Sequence, residues 1–259
     1  FPVDISMNGF EEIKQHANAL FTGGRFPEAM LAYMNAHEMN PLDSDVILGL
    51  GVAHLQQGHI DEAQKWLVKG LEAAPNHPGF HYQLGNIMRM RNHVDDAIEQ
   101  YQAAIAINPG LVPAHFALAG LLMSSKHLED AEHHYCFALE RQPDNVDGHA
   151  NLAQVYELLG RNAKVRNSAR KALQLKPGHA GALMALGKVE KKEQNFTEAE
   201  KIFTGILNTA KEDPLVAMAS LELGHVLDKA GRYDEAFHAF EKGKASWARA
   251  MKDLPFDRR

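Results

Sequence analysis

The sequence predicts an all-α chain made of one helix-turn-helix element repeated about seven times, and three observations carry that prediction. Pro41, Pro75, Pro109, Pro143 and Pro177 are each separated by 34 residues, and a fixed period of that length marks a repeat architecture. Small residues return at the same places within each period. Between them, apolar residues recur at intervals of three and four, the spacing of an amphipathic helix.

Setting each proline at position 32 starts the repeats at Phe10, Ser44, Pro78, Val112, Val146 and Ala180, with a seventh from Ala217 after a three-residue insertion. The chain then divides into a lead over residues 1–9, a solenoid over 10–245 with repeats starting at 10, 44, 78, 112, 146, 180 and 217, and a capping helix and tail over 246–259. In the first helix, position 8 is Ala17, Gly51, Gly85, Ala119, Ala153, Gly187 and Gly224. Position 15 follows as Gly24, Gly58, Asn92, Lys126, Gly160, Gln194 and Gly231, mostly residues that tolerate the left-handed backbone of a tight turn. The second helix opens on acids in "IDEA", "VDDA", "LEDA" and "YDEA", where carboxylates favour the positive end of a helix. It is small at position 20 (Ala29, Ala63, Ala97, Ala131, Val165, Ala199, Ala236), which lets the two helices approach closely. The proline, lacking an N–H donor, ends it.

"LGNIMRMRNHVDDAIEQYQAAIAINP" at 84–109 resembles the tetratricopeptide repeat (TPR) in its small residues, late aromatic and terminal proline, and the resemblance covers about 10–246. It implies antiparallel helix pairs stacked into a right-handed superhelical solenoid of about seven repeats, closed by a C-terminal capping helix. The first helices would line its concave face. At position 4 the family prefers Trp, whereas this chain has Ile13, Ile47, His81, His115, His149, Leu183 and Ser220. Repeat five lacks the acidic start and carries Arg161, Lys164, Arg166, Arg170 and Lys171 on its second helix, which reads as a basic patch on the convex side.

A net charge of -6 gives no support for nucleic-acid binding, which needs a basic face. No apolar run approaches the roughly 20 residues that span a bilayer. Cys136 is the lone cysteine, so no intramolecular disulfide forms; that fits a reducing compartment, and a cytoplasmic location is expected, although it also fits many exported proteins. The opening "FPVDISMNGF", without initiator Met or apolar leader, reads as the start of a processed or excised chain.

Of the fifteen histidines, His81, His115 and His149 form a row at the repeat spacing. Equivalent helices lie at least about 8–10 Å apart, too far for one zinc, whose ligands each sit about 2 Å from it. No His-Glu-x-x-His, paired-cysteine or phosphate-loop pattern exists, so no metal, cofactor or catalytic residue is expected and the histidines read as structural or solvated.

Function is therefore expected in binding. In the family, positions 2, 5, 6, 9, 12 and 13 of the first helix face inward, and partners lie against them. These positions hold Lys14 and Asn18 in repeat one, then Leu48, Val52 and Leu55 in repeat two. Repeat three offers Tyr82, Asn86, Arg89 and Met90; repeat four offers Phe116 and Met123. Repeats five and six add Gln154, Glu157, Lys188, Lys191 and Lys192, the lysines awaiting an acidic partner segment or Glu157. Lys14 and Asn18 begin the carboxylate clamp of chaperone-binding TPRs, but Gly49, Gly79 and Gln83 replace its remaining members, so that clamp is not expected. The reading is a scaffold binding a peptide or protein domain in its concave groove, with partner identity and oligomeric state open.

The C-terminal "GRYDEAF" followed by "FEKGKA" and "LPFD" is also similar to the junction between repeats and catalytic domain in bacterial TPR-sulfotransferases. Lys244 and Phe256 stand where that family has Asn and Tyr. This resemblance implies an alternative, the non-catalytic arm of a larger sulfotransferase-type enzyme. Phe237, Phe240, Trp247, Met251 and Leu254 would supply the apolar side of the last repeat and its cap, since a solenoid exposes the flank of its final repeat.

Overall fold

The computed structural model describes residues 5–252, with side chains from Gly9 onward. Those residues form fourteen helices and no strand: α1 (Ile5–Thr22), α2 (Phe26–Met39), α3 (Ser44–Gln56), α4 (Ile60–Ala73), α5 (Pro78–Met90), α6 (Val94–Ile107), α7 (Val112–Ser124), α8 (Leu128–Arg141), α9 (Val146–Leu158), α10 (Asn162–Leu175), α11 (Ala180–Lys192), α12 (Phe196–Thr209), α13 (Asp213–Lys229) and α14 (Tyr233–Lys252). Consecutive pairs make seven helix-turn-helix repeats. The chain separates into two compact units, Phe1–Leu121 and Leu122–Arg259, the division falling within α7.

Local sequence explains where each hairpin turns. All seven residues at position 15 have a left-handed backbone: Gly24, Gly58, Gly160 and Gly231, but also Asn92 (φ 61°), Lys126 (φ 67°) and Gln194 (φ 63°). The reversal is imposed by the repeat even where the residue there bears a Cβ, at a cost of about 1–2 kcal/mol. First helices begin on a cap where the residue allows it. Asp43 accepts from the Val46 N–H at 2.9 Å and Asn145 from the Gly148 N–H at 2.7 Å, each worth about 1 kcal/mol.

Where position 8 is glycine it faces the side chain at position 24 of the same hairpin, Leu67 at Gly51 and a ring at Gly85, Gly187 and Gly224. A Cβ on Gly85 would stand 2.7 Å from the Tyr101 ring, and one on Gly187 2.7 Å from Phe203. Both rings are fully buried, so an added methyl would have to displace close-packed atoms. In the first unit Tyr33, Leu67, Phe80 and Tyr101 fill the space between layers; in the second Tyr135, Val155, Phe203, Ile206 and Val226 do so. Burial pushes the Tyr135 phenol up to about 12, against a smaller opposing effect from its hydrogen bond with Asn151.

The histidine row has a structural role. His81, His115 and His149 each point Nε2 at the carbonyl of the proline six residues earlier, Pro75, Pro109 and Pro143, at 3.2, 3.1 and 2.9 Å. A carbonyl only accepts, so Nε2 carries the proton and ties the first helix to the loop that precedes it.

The chain ends depart from the expected register. Helix α1 already runs at Ile5 inside the expected lead, and α13 absorbs the three-residue insertion as an extra N-terminal turn from Asp213. Residues 246–252 continue α14 instead of starting a helix of their own. Phe237, Trp247 and Met251, expected to serve an apolar interface there, are 62%, 40% and 47% exposed. Leu254, the "LPFD" stretch and the rest of the expected cap lie outside the described residues.

Candidate functional site

The first unit presents the side chains of α1, α3 and α5 on its inward face. Lys14 is held by Asp43 at 3.0 Å and Asp45 at 2.9 Å; burial opposes its charge, but hydrogen bonds and attraction from the two acids outweigh that and raise its pKa. Asn18 accepts a 2.6 Å hydrogen bond from the Tyr33 hydroxyl. Beside them a recess of about 330 Å³ is lined by Phe21, Tyr33, Asp45, Leu48, Gly49 and Val52, with Asn18 at its rim. Gly49 makes that recess possible, because a Cβ there would stand 2.5 Å from the Tyr33 ring.

Along α5 the pattern returns. The Tyr101 hydroxyl donates to Asn86 Oδ1 at 2.8 Å, and Asn86 in turn donates to Gln83 at 3.0 Å. Tyr82 is half-buried with its ring 5.9 Å from that of Tyr101. Leu48 and Leu55 pack partly against the core beneath them, while Met90 is 55% exposed and Arg89 is exposed. Phe116, in the same unit, is half-buried. Leu48, Val52, Leu55, Tyr82 and Phe116 thus all keep part of their apolar surface in water, as core side chains do not.

In the second unit the same register positions carry charges that are tied internally. Lys188 meets Glu157 at 3.0 Å, and Lys191 pairs with Glu222 on α13. Lys192 and Gln154 are exposed, and Met123 is half-buried. A recess of about 280 Å³ lies among Asn151, Gln154, Glu157, Met184, Lys188 and Met218. On the outer helices, the basic run of repeat five is largely consumed. Arg161 and Lys164 both bind Glu132, and Arg166 forms a two-pronged bond to Glu190 (2.8 and 3.0 Å) while also reaching Glu193. Arg170 and Lys171 are exposed, as is Lys164 despite its pairing.

Sequence reasoning placed the inward residues by register but missed Tyr33, Gly49 and Asp45, which shape the first recess. Part of the signal was present: Tyr33, Tyr101 and Tyr135 recur at position 24, which marks an aromatic in the second helix of those three repeats.

Sequence profiles of the tetratricopeptide repeat match residues 20–87 and 159–223, with further matches at 78–111 and 116–180. The chain belongs to the tetratricopeptide repeat family. Among solved structures it is similar to PilF of Pseudomonas aeruginosa (19% identity, TM-score 0.65, covering 82% of this chain and 97% of that one). The C-terminal part of a TPR protein from Cytophaga hutchinsonii matches at 15% identity with TM-score 0.66 over 94% of this chain and 100% of that one. YrrB, a TPR protein with an unusual peptide-binding site, matches at 22% identity with TM-score 0.55 over 70% and 97%. No curated protein sequence matches the chain. Among the described residues no helix is long and apolar enough to cross a membrane, and no group of three or more metal-binding side chains comes together.

Proposed function

We propose that this TPR chain is a cytoplasmic protein-binding scaffold that holds an extended peptide or a partner domain against the inward helix faces. The first unit supplies the apolar anchors. One observation carries this reading: Leu48, Val52 and Tyr82 keep apolar surface exposed on this unit, and in the recess beside Leu48 and Val52 the polar groups are already engaged, Asn18 with Tyr33 and Asp45 with Lys14. Such a surface gains from apolar side chains and offers polar ones little beyond water. The peptide-binding site described for YrrB is consistent with it, and no catalysis, metal or cofactor is assigned to these residues.

The test is a random-peptide display selection against the full chain, with affinities of the selected peptides measured by calorimetry. Val52→Glu and Tyr82→Ala should each weaken binding about tenfold or more, whereas Lys192→Glu should leave it within about threefold. Selected peptides that bind Val52→Glu and Tyr82→Ala as tightly as the parent chain would refute the apolar-anchor reading. The second reading, a repeat arm of a sulfotransferase-type enzyme, rests on "GRYDEAF", which here opens the unusually long α14. A native gene that continues past Arg259 into a domain with a nucleotide-phosphate loop would favour it; a continuation without one would end it.

A further inference from the structure

Helix α14 carries two apolar stripes, and the fold uses one of them. Ala236, Ala239, Gly243 and Ser246 are buried, with Gly243 set close against Leu221 of α13. Beside that stripe, Tyr233, Phe237, Phe240, Lys244, Trp247 and Met251 follow one another at steps of four, three, four, three and four. That is the 3.5-residue period of a helix-pairing seam. Tyr233 is 69% and Phe237 62% exposed, and Trp247 and Met251 are also exposed. Phe240 is half-buried, packed near Gly224 and His225. Exposed apolar side chains scattered singly need no explanation, but a continuous row along one 20-residue helix does.

We propose that this row is a self-association seam through which two copies of the chain pair their α14 helices antiparallel about a two-fold axis near Lys242. The proposal is independent of the peptide groove. The row reads the same from either end, so the axis sets Tyr233 against the partner's Met251 and Phe237 against the partner's Trp247. Phe240 then faces the partner's Lys244. These are a sulfur–aromatic, an aromatic–aromatic and a cation–π contact. Charge selects the direction. Asp234, Glu235 and Glu241 lie in the first half of the helix, while Lys242, Lys244, Arg249 and Lys252 lie in the second. Antiparallel pairing brings Asp234 beside the partner's Lys252 and Glu241 beside the partner's Lys244. Parallel pairing would instead place Lys244 against the partner's Lys244 within the seam, which like charges oppose. A self-complementary patch of this kind closes as a dimer and does not propagate.

The experiment uses the full chain. Sedimentation equilibrium across a wide micromolar range should show a monomer–dimer equilibrium, and Phe237→Glu should raise the dimer dissociation constant at least about 30-fold. That variant should keep its circular dichroism and melting curve, since Phe237 lies mostly in water. Direction is read by oxidative cross-linking in a Cys136→Ser background. A mixture of Phe237→Cys and Trp247→Cys proteins should link, whereas Phe237→Cys alone should not, because its two copies would lie about 15 Å apart along the axis. A chain that stays monomeric, a dimer indifferent to Phe237→Glu, or self-linking of Phe237→Cys would overturn the proposal. So would dimerisation that appears only after residues 253–259 are removed, which would make that segment the occupant of the seam.

Discussion

At position 9 of its repeat, Val52 leaves a half-exposed apolar side chain on the inward face of the first unit, whereas Lys188 at the same position in the second is tied to Glu157 at 3.0 Å. The contrast extends behind these residues. Beside the Lys14–Asp43–Asp45 cluster, the first unit braces its inward face with neutral bonds, Tyr33 to Asn18 and Tyr101 to Asn86. The second unit uses charge, through Glu157–Lys188, Lys191–Glu222 and the Arg166–Glu190–Glu193 cluster. One helix position can therefore serve either capture or cohesion. What decides is whether the adjoining repeat offers a counter-charge. Where it does not, the surface stays open to a partner.

The contrast is broken most severely at Glu190, a charged residue only 6% exposed. Glu190→Ala removes the two-pronged acceptor of Arg166 and the acceptor of the Asn195 amide. Arg166 keeps Glu193, so the loss should be about 2 kcal/mol, toward the lower end for a buried pair, measured by urea denaturation. The second unit should also be the acid-sensitive one. Hydrogen bonding from Arg166 is the main force holding the Glu190 and Glu193 carboxyls below their ordinary 4.5. At Glu132, burial pushes upward but bonds from Lys164 and Arg161 outweigh it and lower the pKa. A depressed folded-state value means that this stabilisation is complete above the ordinary carboxylate range and fades as pH falls through the folded value. With Trp66 in the first unit and Trp247 in the second, single-tryptophan variants followed by fluorescence on acidification should show Trp247 responding at the higher pH. The reverse order would refute the assignment.

Asn86→Ala tests the neutral side of the comparison. It strips the acceptor from the buried Tyr101 hydroxyl and should cost about 1–2 kcal/mol, with no change between low and high salt; pairing it with Tyr101→Phe should recover part of the loss. A smaller effect of opposite sign is expected at the turns. The first unit reverses at Gly24, Gly58 and Asn92, while the second must hold Lys126 and Gln194 at φ 67° and 63°. Lys126→Gly should stabilise by up to about 1 kcal/mol, the relief of a left-handed β-carbon less the added freedom of the unfolded chain. Asn92→Gly should gain less, since Asn visits that region readily. Least of all, Lys188→Gln should change stability by no more than about 0.5 kcal/mol, and high salt should erase the difference.

The fold was legible because a repeat states its register many times over. Ser44, Pro78, Val112, Val146 and Ala180, set by counting from the prolines, are the first residues of α3, α5, α7, α9 and α11. Register failed at the two chain ends, at Ile5 and in the run-on of α14 past position 246, where no further repeat enforces it, and at Asp213, where the three-residue insertion lengthens α13. The inward assignment of the apolar residues rests on the same count. Of the ion pairs that join acids and bases 31 residues apart, Glu157–Lys188 was among the expectations, whereas Lys14–Asp45 and Lys191–Glu222 were not. Charges weighed one helix at a time do not reveal such partners. The basic run of repeat five was misread for the same reason: its acids, Glu132, Glu190 and Glu193, sit in repeats four and six.

The histidine bonds to the proline carbonyls also make the chain its own gauge of local opening. In His81, His115 and His149 the Nε2 proton is engaged on a backbone oxygen of the preceding loop, so it trades with solvent hydrogen when that one junction comes apart. Nuclear magnetic resonance of the ring protons would then clock three successive seams separately, two in the first unit and one in the second. A ligand that tightens only part of the array would slow the corresponding ring and leave the others ticking at their former rate.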